Sequence, residues 1–208
     1  MTASSDQHEL AGVEVHGLTR QSFILKGALA AGAVYGASAV APFVSSAFAA
    51  GTSDVDILNF ALTLEYLEAD FYKVKGKTVG LSGQAKTLAK SFGDEEAEHV
   101  TALTKAITAS GGKPVAKPKF AFPVTDQASF LKLAYLLENT GVSAYNGAGP
   151  SLTSKPLLAA AGSIVQIEAR HAASIAVLTG MKITPDGAFD KPLSMKQVLA
   201  KAGPLIKK

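Results

Sequence analysis

Ile167-Glu168-Ala169-Arg170-His171 places a carboxylate and an imidazole three residues apart, and Glu96-Ala97-Glu98-His99 does the same 72 residues earlier (96 to 168). Upstream of each lies another matched pair. Glu65 has Tyr72 seven residues on, Glu138 has Tyr145 seven residues on, and these pairs are offset by 73 (65 to 138). Four segments therefore read carboxylate, carboxylate plus His, carboxylate, carboxylate plus His. On an α-helix, residues three apart share a face, with roughly 5–6 Å between Cβ atoms, and a residue seven on returns to that face two turns later. This is the ligand order of a four-helix bundle holding two metal ions, with Glu65, Glu96, His99, Glu138, Glu168 and His171 as the ligands.

Charge supports that reading. Two divalent cations bring four positive charges, and Glu65, Glu96, Glu138 and Glu168 bring four negative ones. Without such neutralisation, carboxylates on apolar helix faces would be costly to bury. Oxygen-rich ligation with one imidazole per ion suits iron or manganese better than copper or a structural zinc.

The residues around this set divide by face. Glu68, one turn after Glu65, is an extra metal-ligand candidate. Its repeat counterpart is Gly141, so the symmetric set does not need it and a surface role is expected. Asp94, Glu95 and Glu98 are expected to point to other, solvated faces, and Arg170 away from the site. Tyr72 and Tyr145 are candidates to orient the carboxylates through their hydroxyls, and through redox chemistry to share in catalysis. Plain core packing is the competing role for both. Gly141 is expected to leave room for a bound oxygen species or to let two helices approach.

Along the chain, Thr52-Ser53-Asp54 is good N-cap chemistry, and Ile57, Leu58, Ala61, Leu64, Leu67 and Phe71 recur at helical spacing. The first helix is expected over 55–74, stopping at Gly76. The second is expected from Ser82 or Gly83 to about Ser110, before Gly111-Gly112. Three prolines in 113–123 make that stretch the long connection between halves. Thr125-Asp126 caps the third helix, which ends near Asn146-Gly147, and the fourth occupies about 154–179 before Gly180. A short fifth helix, about 194–201, carries Met195, Val198 and Leu199 on one side and is expected across the bundle end. The fold is therefore all-α: an antiparallel four-helix bundle of two helix-pair repeats with a long crossover, plus a short C-terminal helix.

With 208 residues, 48% of them apolar, the chain can bury one sizeable core. It has no Cys, which excludes thiolate zinc sites, iron–sulfur clusters, disulfides and Cys nucleophiles. A net charge of +3 from scattered Lys residues gives no basic stripe, so no nucleic-acid partner is expected.

Residues 1–49 read as a leader and cleavable export signal, and 50–208 as the bundle domain. The polar residues 1–17, which include His8 and His16, precede Thr19-Arg20-Gln21-Ser22-Phe23-Ile24-Leu25-Lys26 and a small-residue run that ends in Ala47-Phe48-Ala49. That ending is a small-x-small cleavage pattern, so the mature chain is expected to begin at Ala50. The head of the segment resembles a twin-arginine export signal with Gln21 in place of the second Arg. The expected location is periplasmic or extracellular, and the competing reading is an uncleaved anchor.

The chain as a whole resembles a ferritin-like di-iron carboxylate protein, in which two helices each give one Glu and the other two each give Glu-x-x-His. More narrowly it resembles the ferritin-like domain family that includes bacterial exported proteins and desiccation- or stress-related proteins. The residues carrying the closer match are Leu58-Asn59-Phe60-Ala61-Leu62-Thr63-Leu64-Glu65-Tyr66-Leu67-Glu68-Ala69-Asp70-Phe71-Tyr72, Asp94-Glu95-Glu96-Ala97-Glu98-His99 and Phe189-Asp190-Lys191-Pro192-Leu193. The likeness covers about 53–205. It implies a dinuclear iron or manganese centre that oxidises ferrous iron or reduces peroxide or dioxygen, in protection against oxidative or drying stress. The competing expectation is a stress-protective bundle whose metals only hold the helices together. Metal ions and peroxide or dioxygen are the expected partners, and a homo-oligomer is compatible with the sequence.

Overall fold

Capping chemistry sets where three of the helices begin. Ser53, Asp126 and Ser194 each accept a bond from the backbone N–H three residues on, and the side chain there bonds back to the cap. The computed structural model describes residues 53–207. In it α1 spans Asp54–Thr78, α2 Gly83–Ala109, α3 Gln127–Ala148, α4 Lys155–Thr179 and α5 Met195–Ala202. The leader, the Ala47-Phe48-Ala49 pattern, His8, His16, Gln21 and Thr52 lie outside the described residues. Among the described residues no helix is long and apolar enough to cross a membrane.

The helices pack as two antiparallel pairs, α1 with α2 and α3 with α4. Register shows how the pairs meet. Tyr72 reaches Glu138 while Tyr145 reaches Glu65, so α1 and α3 run in opposite directions. His99 lies by Glu168 while His171 lies by Glu96, so α2 and α4 do too. The crossover, 110–126, must therefore travel the length of the bundle, and it does so along α1. Asn59 bonds Lys113 O at 3.2 Å and Val115 N at 2.7 Å, Asp70 pairs with Lys117, and Lys75 Nζ bonds Val124 O at 3.3 Å. Its prolines forbid a helix, and Phe120, Phe122 and Val124 turn inward as anchors.

Two apolar clusters fill the interior. One gathers Leu67, Phe71, Phe92, Phe130, Ala134 and Ile175, and the other Ile57, Leu58, Leu62, Leu103, Ile107 and Ile164. Phe71 is fully buried, stacks on Phe130 at 4.6 Å and meets Phe122 edge-on at 5.3 Å. Burying one such ring stabilises the fold by roughly 1.5–3 kcal/mol.

One boundary and one helix face differ from expectation. Helix α1 runs through Gly76 to Thr78 before Gly80 turns with φ +70. Gly76 is a contact residue rather than a stop, since a Cβ there would touch Ala89 Cβ at 3.6 Å. On α5, Val198 and Ala202 are buried, but Leu199 is 45% exposed and belongs to the other face. Helix α5 packs against α3, and the segment before it crosses α3 so closely that a Cβ on Gly147 would lie 2.0 Å from Leu193 O.

Candidate metal centre

The bundle's apolar interior is interrupted by one polar layer, to which all four long helices contribute. Glu65 and Glu68 come from α1, Glu96 and His99 from α2, Glu138 from α3, and Glu168 and His171 from α4. Glu65, Glu96, Glu138 and Glu168 are each 0% exposed, Glu68 3% and His171 2%. Carboxylates almost never reach such burial without partners.

Each histidine turns Nδ1 to the carboxylates. His99 Nδ1 lies 3.2 Å from Glu65 Oε2, 3.3 Å from Glu96 Oε2 and 3.5 Å from Glu168 Oε1. His171 Nδ1 lies 3.1 Å from both Glu96 Oε1 and Glu138 Oε2. The tyrosine hydroxyls donate across the bundle, Tyr72 to Glu138 Oε1 and Tyr145 to Glu65 Oε1. Each tyrosine thus serves the carboxylate of the other half. Seven residues of helix rise about 10 Å, too far for a tyrosine to bond the Glu on its own helix, while the antiparallel neighbour comes within reach.

One ligand atom from each residue lies within 4.8 Å of the others in three groups: Glu65, Glu96, His99 and Glu168; Glu96, Glu138 and His171; and Glu68, Glu138 and Glu168. Glu96 is common to the first two groups, Glu168 to the first and third, and Glu138 to the second and third. Glu68 Oε2 and Glu168 Oε2 are buried without a hydrogen-bond partner, and Glu96 Oε1 and Glu168 Oε1 face only the imidazole nitrogens of His171 and His99. Buried polar atoms are rarely left so, and unpaired buried oxygens converging beside two imidazoles fit a bound cation.

Electrostatics says what replaces a cation in the metal-free chain. Burial, then the charge of Glu96, pushes Glu65 up to about 8. Burial, then neighbouring carboxylates, raises Glu68 and Glu168 well above the usual range. Burial also raises Glu138, against the bond from His171. Glu96 goes the other way. Burial opposes its ionisation, but the bonds from His171 and His99 outweigh it and draw it down to about 2. Burial likewise disfavours the imidazolium forms, yet the facing carboxylates push His99 up to about 12 and His171 to about 11. Burial, then Glu138 for Tyr72 and Glu65 for Tyr145, raises both phenols well above their ordinary value, so both remain donors.

Two expectations are corrected. Glu68 is buried in the layer, not on the surface. Its space comes from Gly141, where a Cβ would lie 2.5 Å from Glu168 Oε2 and 3.5 Å from Glu68 Oε1. That glycine therefore makes room for two carboxylates of the layer. Glu95 is half-exposed but bonds His171 Nε2, so it is not simply solvated. Asp94 and Glu98 are exposed as expected.

Gly141→Ala should force Glu168 aside and lower stability by about 1–3 kcal/mol, the usual cost of overpacking. Gly162→Ala, also mid-helix, meets nothing within 4 Å and should raise stability by about 1 kcal/mol through helix propensity. Thermal melts of the two variants test this, since equal shifts would mean that Gly141 holds no space for the layer.

A family model described as "Ferritin-like domain" matches residues 53–181, which include every residue of the layer. No curated protein matches the chain.

Proposed function

Because the chain belongs to the ferritin-like domain family, we propose that its polar layer is a dinuclear iron or manganese centre that oxidises ferrous iron or reduces peroxide or dioxygen. Glu65, Glu96, His99 and Glu168 would hold one ion, and Glu96, Glu138 and His171 the other, with Glu96 shared. The observation that carries this reading is the set of buried, unpartnered carboxylate oxygens facing two imidazoles. Such a pair, when bound, supplies one electron from each ion to an oxygen species.

The chain's own residues supply orientation, charge and dryness. The Tyr72 and Tyr145 hydroxyls fix Glu138 and Glu65 in rotation, the arrangement expected of groups that position ligating carboxylates. Phe92 stacks on His171, and Leu62, Phe71 and Ile175, within a turn of the layer on their own helices, are buried, so the layer sits in an apolar interior that strengthens every charge interaction inside it. Glu68 adds a fifth carboxyl group, which burial and the neighbouring carboxylates hold well above the usual range. Its proton can leave when the ions gain charge, which favours ions that change charge over ions that only hold helices together. The Ala47-Phe48-Ala49 pattern supports an exported setting, and protection against oxidative stress is the role that fits it.

The test is a stopped-flow assay of protein loaded with ferrous ion without oxygen. On mixing with peroxide or dioxygen, absorbance from ferric ion should rise faster than with free ferrous ion in the same buffer, and azide should then perturb the oxidised spectrum. A loaded protein that shows neither response would leave the purely structural role of the metals as the better account.

A further inference from the structure

The two histidines of the layer are not held alike. Glu95, one residue before Glu96 on α2, has a side chain 45% exposed, yet its Oε2 bonds His171 Nε2 on α4. Its Oε1 accepts a bond from Ser91 Oγ at 3.1 Å, one turn earlier on α2. Phe92 stacks on the same imidazole, with ring centroids 3.9 Å apart and planes 24° from parallel. Helix α2 therefore grips His171 at its far nitrogen and on its ring face, and leaves Nδ1 directed at Glu96 and Glu138. Among the described residues His99 has no partner on Nε2 and no stacked ring, and its side chain is 12% exposed.

A neutral imidazole carries one N–H, and its place decides which nitrogen can donate a lone pair. A carboxylate at Nε2 draws the proton there and leaves Nδ1 free, while its negative charge makes Nδ1 a better donor. Exposed carboxylates are usually indifferent to such matters. This one is fixed by Ser91 on one oxygen and spends the other on a buried ring.

We propose that Glu95 is a positioning residue for His171 that makes the two halves of the centre unequal, so that it strengthens the ion held by Glu96, Glu138 and His171 and not the ion held with His99. The inference rests on the metal-centre reading above. Glu95 itself touches no ion; it acts through His171. Its repeat counterpart is Ile167, which cannot accept a bond, so the asymmetry is written into the sequence.

The experiment titrates metal-free protein with cobalt(II) against a chromophoric chelator. Wild type should show two binding events. Glu95→Ala should weaken one of them by about 10- to 100-fold, the usual effect of losing such a partner, and leave the other unchanged. Glu95→Gln, whose amide oxygen still accepts from Nε2–H, should recover most of the loss, and Glu98→Ala, an exposed change on the same helix, should alter neither event. In zinc-loaded protein, 15N-edited NMR should show a slowly exchanging His171 Nε2–H in wild type and Glu95→Gln that is lost in Glu95→Ala. Two unchanged affinities and an unchanged Nε2–H in Glu95→Ala would overturn the inference while leaving the metal centre standing. Wild-type protein that takes up no cobalt would overturn both.

Discussion

Glu96→Ala is expected to strip the protein of both ions, whereas Glu65→Ala is expected to remove one. Glu96 supplies an atom to the group around His99 and to the group around His171, while Glu65 supplies one only to the first. It is also the one carboxylate of the layer whose charged form is favoured in the metal-free chain, because both imidazoles bond to it. Its loss should weaken each ion by well over ~100-fold, beyond the range seen when only an outer partner of a ligand is removed. Glu138→Ala should resemble Glu65→Ala, with the surviving ion at the other position. Metal analysis after loading and desalting reads the outcome, with circular dichroism to show that each variant is helical. If Glu96→Ala retains one ion at wild-type affinity, the shared carboxylate is misassigned.

The second large effect joins metal to stability. In the metal-free chain, Glu65 titrates near 8 instead of 4.5, and Glu68, Glu138 and Glu168 are also raised. Above pH 4.5 the native chain therefore keeps protons that the unfolded chain has released, so its stability falls as pH rises. His99 and His171, raised from 6.5 to about 12 and about 11, act in the same sense. Their contribution is complete below pH 6.5 and declines above it. Glu96, lowered to about 2, has the opposite sign, and the stability it contributes is lost as pH falls from 4.5 toward 2. Metal-free protein should therefore be most stable near about pH 5 and lose on the order of a few kcal/mol by about pH 8. A cation binds only after those protons leave, so its affinity, and the stability it adds to the native state, grow as pH rises. The gap in melting temperature between loaded and metal-free protein should thus widen from about pH 5 to about pH 8. A constant gap would mean that the layer does not exchange protons for metal.

How much of this was legible in the sequence depends on symmetry. The helices could be read because caps, glycines and prolines punctuate them, and because apolar residues recur at one period within each. The residues of the layer stood out because the chain repeats them, so that Glu65 answers Glu138 and Glu96-x-x-His99 answers Glu168-x-x-His171. Departures from the repeat stayed hidden for the same reason. Glu68 has Gly141 for a counterpart and so looked dispensable, although the missing side chain is what gives Glu68 and Glu168 their space. Glu95 sits next to a ligand candidate and turns about 100° around α2 from it, which on a single helix reads as the solvent side. Only the position of α4 reveals that His171 Nε2 waits there. The tyrosines illustrate the same limit, since their spacing from Glu65 and Glu138 was visible while the exchange of partners between halves depends on the antiparallel register of α1 and α3.

The central claim, that the buried layer is a site for a pair of metal ions, is tested most directly by counting metal. Protein freed of metal by chelation, loaded with ferrous ion without oxygen and desalted, should carry two iron ions per chain by elemental analysis, and manganese should compete for the same two places. The same wild-type protein recovered with no bound iron or manganese, and melting at one temperature before and after loading, would contradict the account.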